Sequence, residues 1–170
     1  MQKILDNGHA ESVPSKVLVA TKPCLYLPHF CVYHPQKTEK IRVVFDSAAE
    51  TDGVSLNKLL LSGPDFTNSL LGVLLRFRQN FITSVADIEK MFHSFILQEN
   101  HRDFLRFLWC RDNNPDGEVM EQRMKVHLFG NTSSPAVATF GLRKTAQFGE
   151  AEFGSDAKEF VDKTFMSMTA

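Results

Sequence analysis

Residues 105–128 read LRFLWCRDNNPDGEVMEQRMKVHL, and this stretch decides the fold class. Leu105–Trp109 is an apolar run with strand formers at its centre. Met120–Leu128 alternates well enough between apolar and polar residues for a second strand. Between them Asp112–Gly117, DNNPDG, gathers the residues that accept turn geometry. The two runs therefore pair as a hairpin.

On the carboxyl side, Gly130–Ser134 is a polar loop, and Pro135–Phe148 reads as a helix with proline at its first position. On the amino side, Phe95–Leu97 is a further strand candidate. Phe81–Asp87, FITSVAD, reads as a strand with a carboxylate at its end. From Pro64 to Arg78, Phe66, Leu70, Leu71, Leu74 and Phe77 recur at helical spacing, the best amphipathic pattern in the chain. Ser62-Gly63-Pro64 opens that segment, and the apolar run Leu56–Leu61 precedes it. Lys40–Asp46, KIRVVFD, reads as a strand and Ser47–Gly53 as a polar turn. Leu25–Leu27 is a short strand, and Pro28, His29, Tyr33, His34 and Pro35 make an irregular extended piece. Met1–Asn7 forms a short helix stopped by Gly8. Strands and helices mix without βαβ regularity, so the expected class is α+β.

The bulk properties narrow the partners. At 170 residues the chain can bury a core, and its net charge of −1 provides no global basic field for nucleic acid. Basic residues do gather locally: Lys37, Lys40 and Arg42; Arg76 and Arg78; Arg102 and Arg106; Arg143 and Lys144. Without other evidence each group reads as a solvated face. Phe numbers 15 against one Trp and two Tyr, so most of these rings read as packing. Cys24, Cys31 and Cys110 lack paired spacing, which suits reduced thiols. Cys24, His29, Cys31 and His34 do not follow a usual structural-zinc pattern, and Pro28 and Pro35 stiffen that segment. No apolar run approaches a membrane span and the first residues are not a signal peptide. The expected location is intracellular, cytoplasmic or nuclear, with no membrane partner.

Asp87 sits in VADIEKMFHSF. A carboxylate at a strand end, followed by a short turn, is reachable by a metal ion. Asp is also a strong helix N-cap, and the string alone leaves both readings open. The neighbours add weight. KIRVVFD, SLN, GPDFTNSLLGVLLRFR, ADIEKMFH, LRFLW and HLFGNTSSP follow one another in order, from Lys40 to Pro135. This ordered set resembles the reverse transcriptase domain of LTR retrotransposons, most closely the BEL/Pao group, over about Gly8 to Phe165.

The resemblance implies a partial fingers–palm of a right-hand polymerase, with an incomplete palm sheet. Residues 1–86 would be mainly fingers and lead-in, and 87–170 mainly palm with some fingers. The implied ancestral activity is two-metal transfer of deoxynucleotides onto a primer, with an RNA or DNA template-primer and a dNTP as partners and Mg2+ as cofactor. Magnesium favours carboxylate oxygens. By resemblance Asp87 bridges the ions as catalytic and metal residue, and the Ile88 carbonyl supports the nucleotide-bound one. Arg42 would grip the triphosphate through its bidentate fork, helped by Lys40 and Lys37. Phe92, five residues after Asp87, would pack under the sugar and select against a 2′-hydroxyl. Phe129, Gly130, Ser134 and Pro135 would belong to the loop and helix start supporting template and nucleotide. Small residues there let the backbone approach a ligand.

The family's second acidic motif, Phe-Tyr-Val-Asp-Asp, is expected near Phe165. The chain instead reads Phe165-Met166-Ser167-Met168-Thr169-Ala170 and holds no adjacent aspartate pair. One carboxylate facing two dications implies Mg2+ bound weakly or not at all, and no polymerase activity from this chain. Thumb, RNase H and the other polyprotein domains are absent from the expected architecture. Two competing readings are a non-catalytic nucleic-acid-binding remnant and a non-functional product of a decayed element. With serine encoded as TCN, the codons for Phe165–Ala170 read TTY-ATG-TCN-ATG-ACN-GCN. One T inserted after the first gives TTY-TAT-GTC-NAT-GAC-NGC, which with G at the free positions is Phe-Tyr-Val-Asp-Asp-Gly. Transcript sequencing across these codons is therefore expected to show that motif one base out of register; its absence in every frame overturns the single-base account.

Overall fold

In the computed structural model, which describes residues 1–14, 23–34, 36–66, 68–79, 81–82 and 85–164, the chain forms two units. One comprises Met1–Leu60 with Phe92–Thr132, the other Leu61–Met91 with Ser133–Ala170. The class is mixed α+β, with small antiparallel sheets.

The first unit is built on the expected hairpin. Strands β4 (Arg106–Cys110) and β5 (Val119–Met124) pair antiparallel, Arg106 opposite Arg123 and Trp109 opposite Met120. The turn is made by Asp and Asn chemistry: Asp112 and Asn113 take φ of 54° and 56°, a region these two residues tolerate. The Asn114 side chain accepts from Asp116 N–H at 3.1 Å. Strand β1 (Ala10–Ser12), which follows helix α1 (Gln2–Asp6), adds to the other edge of β5, so the sheet order is β1-β5-β4.

Because side chains alternate across a strand, this register sorts the sheet into two unlike faces. Ala10, Met124 and Phe107 share one face and enter the core with Leu27, Phe45, Leu56, Leu105, Val126 and Leu128. Phe107 and Met124 are fully buried. The other face carries Glu11, Arg123 and Arg106 in a row across three strands. Two arginines directly opposite would repel. A 3-10 turn, Glu99–Leu105, lays Asp103 over them. Its carboxylate accepts from Arg106 Nε at 3.1 Å and Nη2 at 3.0 Å, and from Arg123 Nη1 at 3.2 Å. Glu11 accepts from Arg123 Nε at 2.9 Å and Arg102 Nη1 at 3.1 Å, and Glu121 from Arg106 Nη1 at 3.2 Å. Arg123 is only 2% exposed and Arg106 5%. Burial works against the Arg106 charge, but its bonds to Tyr26 and Asp103 more than offset this and push its pKa up. The expectation that Arg102 and Arg106 form a solvated face is thus corrected.

Strands β2 (His29–His34) and β3 (Lys37–Phe45) form a separate two-stranded ribbon. The segment expected to be irregular forms a strand, because Pro28 lies just outside it where no ladder N–H is required, but its register with β3 shifts between Tyr33 and His34. The ribbon meets the core at its base: Phe45 packs edge-on against Phe107 at 5.1 Å, and His29 stacks with Phe45 and Trp109 at 5.5 Å each. Burial there pushes the His29 pKa down, so the neutral ring is the one packed. Helix α2 (Leu56–Leu59) is capped by Ser55.

The second unit is helical. Helix α3 (Leu70–Phe77) is shorter than the Pro64–Arg78 pattern, because Ser69 caps it by accepting from Gly72 N–H at 3.5 Å. Helix α4 (Ser134–Phe153) begins one residue before Pro135 and runs past Phe148 to Gly154, whose φ of 86° ends it. Helix α5 (Ser155–Thr164) follows and was not anticipated. Gly63 lies where an added Cβ would come within 2.8 Å of Ala136 Cβ, at a φ of 77°. Phe81–Asp87 supplies no strand among its described residues, and Phe81, Ile82 and Val85 are exposed. Strand preference describes fit to a pleated surface, and no strand among the described residues offers this segment one. No helix among the described residues is long and apolar enough to cross a membrane.

Removing the shared counter-charge leaves two buried guanidinium groups without it. Asp103→Ala is expected to lower unfolding stability by about 3–5 kcal/mol. Glu50→Ala, which removes an exposed partner of Lys58 at 2.8 Å, is expected to cost under about 1 kcal/mol. Urea titration of both variants measures the contrast.

Candidate functional site

The expected site residues divide between the units. Arg42, Lys40, Phe92, Phe129 and Gly130 lie in the first; Asp87, Ile88, Ser134 and Pro135 lie in the second.

Asp87 is exposed in an irregular stretch that leads into the Glu89-Lys90 turn, not at a strand end. Lys90 takes a φ of 53° there. Ile88 is likewise exposed. Among the described residues no group of three or more His, Cys, Asp or Glu is placed to hold a metal ion. The stretch Phe165–Ala170, where the second acidic motif is expected, lies outside the described residues.

In the first unit Arg42 is exposed on β3, paired in register with Val32, and has no carboxylate within ion-pair distance among the described residues. Lys40 lies on the same strand, two residues earlier. Phe92 is the second residue of a 3-10 turn, Met91–Ser94, and its ring meets Phe129 edge-on at 5.7 Å. Phe129 keeps half its surface exposed. Gly130 takes a φ of 94° with open space where a Cβ would stand, so the backbone and not crowding requires glycine.

The loop after Phe129 is held by residues to which the sequence reading gave no role. Asn57 Nδ2 donates to Gly130 C=O at 3.0 Å, and Asn57 Oδ1 accepts from Thr132 N–H at 2.9 Å. Ser47 Oγ donates to Asn131 Oδ1, both side chains buried. Asn57 N–H in turn donates to Ser47 C=O at 3.0 Å. The amide of Asn57 thus replaces a backbone strand: one acceptor and one donor grip residues 130 and 132, and Asn131 is tied between them. The signal was the pairing of SLN with GNTSS in one ordered set, but spacing alone could not say that the two segments touch. In the second unit Ser134 is buried as the first residue of α4, and Pro135 is half-buried behind it.

Chemically, the first unit presents an exposed guanidinium on a ribbon, a ring pair, and a glycine backbone held open by an amide clamp.

No family model matches the chain, and no curated protein matches it. Asn57→Ala is expected to free the clamped loop: amide exchange at Thr132 accelerates, and stability falls by about 1 kcal/mol. Unchanged exchange at Thr132 by mass-resolved hydrogen–deuterium measurements contradicts the clamp.

Proposed function

We propose that this chain is a fingers–palm portion of a retrotransposon-type reverse transcriptase, without nucleotide-joining activity as it stands. The ordered set of six segments from KIRVVFD to HLFGNTSSP carries the proposal. Two contacts support it. SLN grips GNT through Asn57, and Phe92 of ADIEKMF touches Phe129 of HLFGN. Both contacts lie within the first unit and join stretches that belong to the ordered set.

In this proposal Arg42 and Lys40 hold the triphosphate, and Phe92 lies under the sugar. Gly130 gives its backbone to the base pair, with Phe129, Ser134 and Pro135 shaping the support. Asp87 and the Ile88 carbonyl would take Mg2+, which supplies charge neutralisation at the α-phosphate when bound. A single exposed carboxylate is a poor seat for two hydrated dications. The inactive state follows from that charge deficit and needs no misfolding.

A non-catalytic role in holding nucleic acid is the second reading, supported by the exposed Arg42 with no ion-pair partner among the described residues. The purified chain is expected to give no primer extension with Mg2+ or Mn2+. The longer product read through the shifted frame is expected to copy RNA into DNA, and Asp87→Asn in it to return incorporation to background. Failure of that product to extend a primer on template sinks the polymerase proposal. Incorporation by the present chain sinks the account of its missing acids.

A further inference from the structure

The second unit carries a groove that the nucleotide reading does not use. It is a shallow cavity of about 300 Å³ lined by Phe140, Arg143, Lys144, Gln147, Lys158 and Asp162. The first four lie at three- and four-residue spacings on α4, hence on one side of that helix. Lys158 and Asp162 face them from α5, again four residues apart.

Three cations line the groove against one carboxylate, although the whole chain is slightly acidic. Arg143 and Lys144 have no carboxylate within ion-pair distance among the described residues. Lys158 reaches Glu150 at 3.7 Å and Asp162 at 4.0 Å, the loose end of ion pairing. The two uncompensated cations are instead placed on rings. Arg143 Cζ stands 5.5 Å from the centre of Phe66 and donates through Nη2 to Phe66 C=O at 3.0 Å. Lys144 Nζ stands 5.9 Å from the centre of Phe140, and is held by Gln147 Oε1 at 2.9 Å. Phe66 and Phe140 lie 6.4 Å apart, and Phe140 keeps 52% of its surface open to solvent. A ligand that met both the half-exposed ring and the cations without carboxylate partners would cover apolar surface and gain charge pairing at once. Such a ligand needs a flat π-face and a negative charge close to it.

We propose that this groove binds single-stranded nucleic acid, seating one base against Phe140 and the adjoining phosphates on Arg143, Lys144 and Lys158. Stacking on an aromatic with cations along the backbone is the general chemistry of sequence-tolerant single-strand binding. The cavity is at the small end for a ligand site, with room for one base, and it is open to solvent. Gln147 and Asp162 supply an amide and a carboxylate for the base edge. The site lies wholly within the second unit, so it stands whether or not Asp87 ever held a metal.

Fluorescence anisotropy of a labelled oligo(dT) with the full chain tests it. Micromolar binding is expected at low salt. The Arg143→Gln, Lys144→Gln double variant is expected to bind at least about 10-fold more weakly and to lose about 1.4 from the slope of log affinity against log salt, two phosphates at 0.7 each. Phe140→Leu is expected to weaken oligo(dT) about 10-fold while leaving inorganic polyphosphate binding unchanged. Arg111→Gln, an exposed cation of the first unit, serves as the surface control. Should the double variant unfold, photocrosslinking of 4-thiothymidine oligonucleotide to the unaltered chain decides instead, with adducts expected between Phe140 and Asp162. Native affinity in a folded double variant, adducts confined to the first unit, or no binding up to about 100 µM at low salt overturns the proposal.

Discussion

The first unit depends on a single carboxylate. Asp103 sits between Arg106 and Arg123, which the register of the hairpin forces directly opposite one another. A sheet normally solves its second face with solvent or with another apolar layer. This one closes it with ion pairs, in which Glu11, Glu121 and Asp103 balance Arg102, Arg106 and Arg123. Such a layer penalises a shifted register. Slipping β5 by one residue would turn Arg123 into the apolar core and Met124 onto the charges. Register, and therefore the position of the first unit's chain from Lys125 to Thr132, is held by that penalty.

Phe129 to Thr132 is what lies downstream. The chain leaves β5 through Val126 and Leu128, both buried, and reaches the loop clamped by Asn57. The ionic face thus fixes the sheet, the sheet fixes where the core ends, and the core delivers Gly130 to the amide waiting for it. Ser47 and Asn57 follow the ribbon in sequence, so the loop joins two segments more than seventy residues apart.

The hairpin was readable because its signal is local: DNNPDG names residues that tolerate positive φ, and the flanking runs need only each other. The start of α4 at Ser134-Pro135 was readable for the same reason. Phe81–Asp87 was misread because a strand is a relation between segments, and β-branched composition cannot supply the partner. Helix α3 began late because a serine at position 69 competes well for the free N–H groups of a first turn. The ionic face was hidden since its members are scattered from Glu11 to Arg123 and charged residues default to solvent. At the site, residue types were visible in sequence, but the role of Asn57 required knowing that SLN meets GNT. Arg143 and Lys144 looked like an ordinary wet helix face until the rings beside them were placed.

The ribbon of β2 and β3 has a consequence for the chain in solution. Phe30, Val32, Tyr33 and Ile41 stay exposed on it, and among the described residues no third strand pairs with either outer edge. That is a ready template for another extended chain to join. The sequence places Lys37, Glu39 and Lys40 beside this run, charges of the kind that discourage stacking of like ribbons. Colloidal behaviour is then governed by ionic strength: added salt screens those gatekeepers and leaves the sticky edges as they were.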